Sequence, residues 1–208
     1  MDLLVLGATG GIGIEIVRQS ITRGHAVTAF VRSPERLRPF EGRISIATGD
    51  TLSASELARV MKGQDAVLSV FGPRVPIAPT DAHLLRDFAT SLTDAMNKAE
   101  VRRAIVVSTA FLFKDALMPP AYLFGRLFFP GVVEDATGME AILSASGLDI
   151  AMVRPPQLTD KPRTGKIRVR EGHLPTFGFS IPRADVADFM IRIAENCEFT
   201  KSVVGISS

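Results

Sequence analysis

The sequence predicts a doubly wound α/β protein: one parallel sheet with helices on both faces. Three observations carry that expectation. Leu3-Leu4-Val5-Leu6 is a short apolar run of strand length close to the N-terminus. Gly7-Ala8-Thr9-Gly10-Gly11-Ile12-Gly13 follows at once, with its glycines spaced G-x-x-G-x-x-G, and Ile12, Ile16 and Val17 then recur at helical spacing. Beyond this corner, strand-like and helix-like stretches alternate along the chain, the pattern of stacked βαβ units.

The elements follow in order. The first helix runs from about Ile12 to Thr22, with Gly24 placed to end it. Ala26 to Val31 is the second strand, Pro34-Glu35-Arg36-Leu37 a short turn, and Arg43 to Ala47 the third strand, ending at Thr48-Gly49-Asp50. Ser53 and Glu56 have capping-box spacing ahead of a helix over Ala54 to Met61, which Gly63 closes. Ala66 to Phe71 is the fourth strand and enters the loop Gly72-Pro73-Arg74-Val75-Pro76. A long helix covers Asp81 to Ala99, and Ala104 to Val107 is the fifth strand. After an irregular, greasy region come a helix over Glu134 to Ala145 and a sixth strand over Asp149 to Val153, which Arg154-Pro155-Pro156 ends abruptly. Lys166 to Arg170 reads as a short strand, Arg183 to Ala194 as a helix and Ser202 to Ile206 as a last strand.

Bulk properties narrow the function classes. The 208 residues suit one domain with a substantial core, and a hydrophobic content of 46% suits a buried sheet. A net charge of +2 gives no reason to expect nucleic acid as a partner. Cys197 is the single cysteine, so an intrachain disulfide and a multi-cysteine metal site are excluded. His25, His83 and His173 are scattered without ligand spacing, and no metal is expected. With only Met1 and Asp2 ahead of the first strand, no signal peptide is expected. The greasy stretch Ala116 to Val133 is broken by Pro119, Pro120, Arg126 and Pro130, so no membrane span is expected. A cytoplasmic protein, a monomer or weak dimer acting on a small molecule, is the expectation.

The glycine corner predicts a dinucleotide. One glycine lets the chain turn after the strand, another lets backbone approach a pyrophosphate, and a third lets helix pack on strand. The second strand then ends Phe30-Val31-Arg32-Ser33, with no acidic residue to hold a free ribose hydroxyl, and Arg36 follows one turn later. Two guanidinium groups suit a 2′-phosphate, so NADP(H) is expected over NAD(H). Asp50, Phe71, Gly72 and Arg74 follow successive strands and belong at the same crevice.

Several of these motifs, with Gly63-Gln64-Asp65-Ala66-Val67, Ser108-Thr109-Ala110-Phe111 and Arg154-Pro155-Pro156, resemble the atypical short-chain dehydrogenase/reductases. Within them the chain is most similar to NADPH-dependent biliverdin-IXβ/flavin reductases, and somewhat less to NmrA-like proteins. The similarity runs from Leu3 to about Met190. It implies a single NAD(P)-binding domain over residues 1–208, with substrate-covering segments at roughly 111–133 and 155–182. It implies that Gly7, Thr9, Gly10, Gly11, Ile12 and Gly13 surround the pyrophosphate and that Arg32 and Arg36 hold the 2′-phosphate. Asp50 and Thr51 would meet the adenine, and Phe71, Gly72 and Arg74 the middle of the cofactor. Ser108, Thr109, Pro155 and Gln157 would lie toward the nicotinamide. The chain departs from the reductases in having Thr109 where they carry serine and Gln157 where they carry histidine.

The chain lacks the Tyr-x-x-x-Lys pair of most short-chain dehydrogenases. Tyr122, its single tyrosine, has Arg126 at the lysine position. The catalytic candidates are Thr109, Ser108 and Tyr122, with a lid role open for Tyr122 and a turn-forming role open for the other two. Hydride transfer to a flat conjugated acceptor, such as a flavin, biliverdin-like or quinone compound, needs two rings held face to face and no tyrosine acid. Two alternatives stand beside this reading: a non-catalytic NADP(H) sensor of the NmrA kind, and a reductase or isomerase of a lipid-like or sugar-derived substrate. Lys166, Arg168 and Arg170 alternate on one strand face, as a solvated surface or as a seat for an anionic substrate tail.

Overall fold

The computed structural model describes residues 1–73, 83–109, 112 and 130–208. The first half contains β1 (Asp2–Leu6), α1 (Gly11–Thr22), β2 (Ala26–Val31), a 3-10 helix (Glu35–Phe40), β3 (Ser45–Thr48), α2 (Ala54–Met61), β4 (Ala66–Ser69) and α3 (Leu84–Ala99). Then come β5 (Arg103–Val107), α4 (Pro130–Ala145), β6 (Asp149–Arg154), β7 (Gln157–Thr159), β8 (Arg168–Glu171), β9 (Ser180–Pro182), α5 (Arg183–Glu195) and β10 (Val203–Ser207).

Eight strands form the main sheet in the order β3-β2-β1-β4-β5-β6-β10-β8. The order runs outward from β1 in both directions, so the chain switches sides between β1 and β4. All its pairings are parallel except β10 with β8. The expected doubly wound sheet is present, and its one antiparallel edge pairing is an addition to it. β8 lies at the edge, where an antiparallel strand completes the ladder of β10 and exposes Arg168, Arg170 and Glu171, charges that discourage further pairing. Arg168 donates to the carbonyls of Thr176 (2.7 Å) and Ser208 (2.8 Å), so it secures local backbone. The parallel pair β7–β9 was not legible because three residues are too few to show a period.

Alternation along β1 divides the core. Leu3 and Val5 face α1 and α5, packing with Ile12, Ile16, Val186 and Phe189. Leu4 and Leu6 face α2, α3 and α4, packing with Leu57, Phe88, Leu92 and Met139. Both faces are therefore covered, which is why the strands read as continuous apolar runs.

Several boundaries differ from expectation, three of them near the carboxyl edge or the core around β2. β3 starts at Ser45, not Arg43. The turn expected at Pro34–Leu37 is a 3-10 helix because Leu37 and Phe40 are buried in the core. β4 ends at Ser69 because, two residues later, the Phe71 amide turns onto Ser69 Oγ at 3.4 Å.

The N-terminus of α3 is capped from another helix. His83 offers no side-chain cap, but Asp135 of α4, 4% exposed, accepts from the amides of Leu85 (2.8 Å) and Arg86 (3.2 Å). Replacing Asp135 with Ala removes the acceptor of the buried Leu85 amide and of the half-buried Arg86 amide. The expected loss is about 1–3 kcal/mol of unfolding free energy, read as a lower urea midpoint. An unchanged midpoint would mean that α3 holds its position without this cap.

Candidate functional site

The turn between β1 and α1 is built by close backbone contacts. Gly7 has φ +78°, and a Cβ there would fall 2.8 Å from the Val70 carbonyl oxygen after β4. A Cβ on Gly13 would fall 2.7 Å from Ala8 Cα, so this glycine lets the first turn of α1 lie directly on the loop. Gly10 is the N-cap residue; its amide donates to Gly7 O at 2.9 Å, and no side chain crowds it.

α1 begins with neither a side-chain cap nor an acidic residue in its first turn. The amides of Gly11, Ile12 and Gly13 have no acceptor among the described residues. Bare backbone, free amides and the positive end of the helix dipole together suit a phosphate.

An open cleft of about 910 Å³ lies at this turn, along the carboxyl edge of the sheet where the chain switches sides. Gly7, Thr9 and Gly10 line it after β1, and Val31, Arg32, Ser33 and Arg36 after β2. Thr51 lines it after β3, and Val70, Phe71, Gly72 and Pro73 after β4, with Leu84 of α3 at the margin. Phe71 is held by stacking on Phe88, with centroids 4.5 Å apart. Arg32 and Arg36 are both exposed, and neither has a carboxylate partner among the described residues. Leu37 and Phe40 anchor the 3-10 helix that carries Arg36.

The cleft thus brings together Gly7, Thr9, Gly10, Arg32, Arg36, Thr51, Phe71 and Gly72 from the expected set. Ile12 buries its side chain in the core, leaving its amide to face the turn. Asp50 is beside Thr51 but outside the lining, and its carboxylate accepts from Leu52 N at 3.0 Å. Glu56 completes a variant of the expected capping box: its amide donates to Ser53 Oγ (3.4 Å), while its carboxylate takes the Asp50 amide (3.0 Å).

Ser108, Thr109, Pro155 and Gln157 form a second group, at the carboxyl ends of the paired strands β5 and β6 and outside the cleft lining. The Ser108 amide donates to Val153 O at 2.8 Å, and its buried Oγ has no hydrogen-bond partner among the described residues. Gln157 is exposed at the start of β7. Arg74 and Tyr122 lie outside the described residues, as does most of segment 111–133.

Sequence reasoning did not select the lining residues Phe30, Val31, Ser33, Val70, Pro73 and Leu84, although Val31, Ser33, Val70 and Pro73 adjoin residues it did select. Arg183, outside the cleft lining, lays its side chain against Gly11 from far along the chain, a contact with no local sequence signal. Among the described residues there is no cluster able to hold a metal and no helix long and apolar enough to cross a membrane.

The sequence profile of the NAD(P)H-binding family matches residues 7–197. The chain belongs to that family. An uncharacterised chloroplastic protein of Arabidopsis thaliana is 30% identical to this NAD(P)H-binding protein over 213 residues, covering 98% of this chain and 75% of the relative. A wide-type short-chain dehydrogenase/reductase from Veillonella parvula, solved in complex with NADP, shares the fold at a TM-score of 0.82 and 20% identity, covering 100% of this chain and 94% of the other. ChuY, an anaerobillin reductase from Escherichia coli O157:H7, does so at 0.79 and 23%, covering 100% and 97%. The NAD(P)H-binding protein therefore has a Rossmann fold, in agreement with its atypical short-chain dehydrogenase/reductase motifs.

Replacing Gly13 with Ala drives a methyl group into the Gly7–Ala8 backbone. A loss of about 1–3 kcal/mol in urea unfolding is expected. Undiminished stability would show that α1 can shift away from the loop without penalty.

Proposed function

We propose that this protein is an NADPH-dependent reductase that passes hydride to a flat conjugated acceptor, such as a flavin, a biliverdin-like tetrapyrrole or a quinone. The observation that carries the cofactor half of this reading is the pair Arg32 and Arg36, two exposed cations on the cleft wall with no carboxylate partner among the described residues. They stand where a dinucleotide lying on the α1 turn would place its 2′-phosphate. The NADP complex of the Veillonella relative and the reductase activity named for ChuY support the same direction.

When bound, the reduced dinucleotide supplies the hydride. The chain's own residues bind and orient. Gly10 and the first amides of α1 take the pyrophosphate, Arg32 and Arg36 the 2′-phosphate, and Thr51 the adenine side. Thr109 and the Ser108 hydroxyl, which has no partner among the described residues, stand at the end of β5 and orient the nicotinamide or the acceptor. The proton that completes reduction comes from water, so no tyrosine acid is required. Residues 155–182, containing β7, β8 and β9, form part of the substrate-side wall.

Arg32→Ser and Arg36→Ser should each weaken NADPH binding by about 10–100-fold while leaving NADH binding nearly unchanged, as measured by calorimetry. Equal losses for both cofactors would contradict the 2′-phosphate assignment. NADPH oxidation with riboflavin, FMN, biliverdin and a simple quinone should give saturable turnover with at least one acceptor, and Thr109→Val should lower that turnover while keeping NADPH affinity. Tight NADPH binding with no turnover on any of them would favour a redox-sensing role.

A further inference from the structure

A cation sits on the opposite side of the α1 turn from the arginines of β2. Arg183 opens α5 directly after Pro182 of β9; β9 pairs with β7, which follows β6. Its side chain therefore reaches the start of α1 from the β6 side of the sheet. A Cβ built on Gly11 would fall 2.6 Å from Arg183 Cδ, 2.8 Å from Nε and 3.8 Å from Cζ. The arginine fills the space that a side chain at position 11 would occupy. Gly11 does not need glycine for a left-handed backbone, since its φ is not positive. The arginine is what excludes a side chain there.

The surroundings of Arg183 are poorly matched to a purely structural cation. Its Nη1 donates to Asp160 Oδ1 at 2.6 Å, but the Asp160 side chain is 90% exposed. An ion pair that open to water holds weakly and exchanges readily. Nε and Nη2 have no acceptor among the described residues. The guanidinium also lies against the first residue of α1, at the positive end of a helix with no acidic residue in its first turn. Only the exposed Asp160 carboxylate offsets this accumulation of positive charge, so a phosphate at the same helix end would find two favourable partners.

We infer that Arg183 is a ligand for the nicotinamide-side phosphate of the dinucleotide, an inference that rests on the dinucleotide reading above. Arg32 and Arg36 approach from β2 and take the adenosine end. Arg183 approaches from the β6 side and takes the phosphate nearer the reacting ring, leaving Asp160 as it does so. Gly11 is the space that allows this reach.

Calorimetry with two probes tests the assignment. NADPH carries both phosphates of the pyrophosphate, whereas 2′-phosphoadenosine 5′-phosphate keeps the adenosine, its 2′-phosphate and the adenosine-side phosphate only. Arg183→Gln should weaken NADPH binding by about tenfold or more and leave the fragment's affinity within about twofold. Arg183→Lys should recover part of the loss. Asp160→Asn, which frees the guanidinium, should keep or improve NADPH affinity. Equal loss of both probes in Arg183→Gln, no loss of either, or a loss in Asp160→Asn matching that of Arg183→Gln would overturn the inference and make the pair a structural clamp. Wild-type protein that binds neither probe would instead remove the dinucleotide reading itself.

Discussion

The molecule depends on a place where three stretches of backbone meet without side chains between them. Gly7 turns in a left-handed conformation under the Val70 carbonyl, and Gly13 sets the first turn of α1 on the Gly7–Ala8 backbone. This contact fixes the direction in which the amides of α1 point and keeps the turn shallow enough for a cleft to open above it. A side chain at either glycine meets backbone, which cannot rotate away. The same packing brings the ends of β1 and β4 together at the point where the strand order changes side.

Around that contact the fold separates support from recognition. The two faces of β1 bury different helices, so α1 is held by α5 on one face while α2, α3 and α4 pack on the other. Asp135 ties α3 to α4 by satisfying α3's amides, and α3 in turn supplies Phe88 for stacking and Leu84 for the cleft margin. Among the described residues, the first amides of α1 have no acceptor, and Arg32 and Arg36 have no carboxylate partner. Asp50 is the contrasting case, because its carboxylate already serves the turn before α2.

How much of this was legible in the sequence varied with the range of the interaction. The glycine corner, the span of β2 and the placement of Arg32 and Arg36 after it were readable because turn chemistry and strand position are local properties of Gly7, Gly10, Gly13, Arg32 and Arg36. The order of helices matched for the same reason. The antiparallel β8 and the β7–β9 pair were not readable, since their register is set by partners distant in sequence and their runs are three or four residues long. The 3-10 helix looked like a turn because only burial of Leu37 and Phe40 fixes it. Arg183 was invisible for the deepest reason: its meaning comes from lying against Gly11, across the whole length of the chain.

The most direct test of the central claim is a calorimetric titration of the wild-type protein with NADPH and, separately, with NADH at physiological ionic strength. A cleft that combines free α1 amides with Arg32 and Arg36 should bind both at one site per chain, NADPH tighter by about 30-fold or more. Equal affinities would contradict the arginine assignment, and the absence of binding by either would contradict the account of the glycine turn.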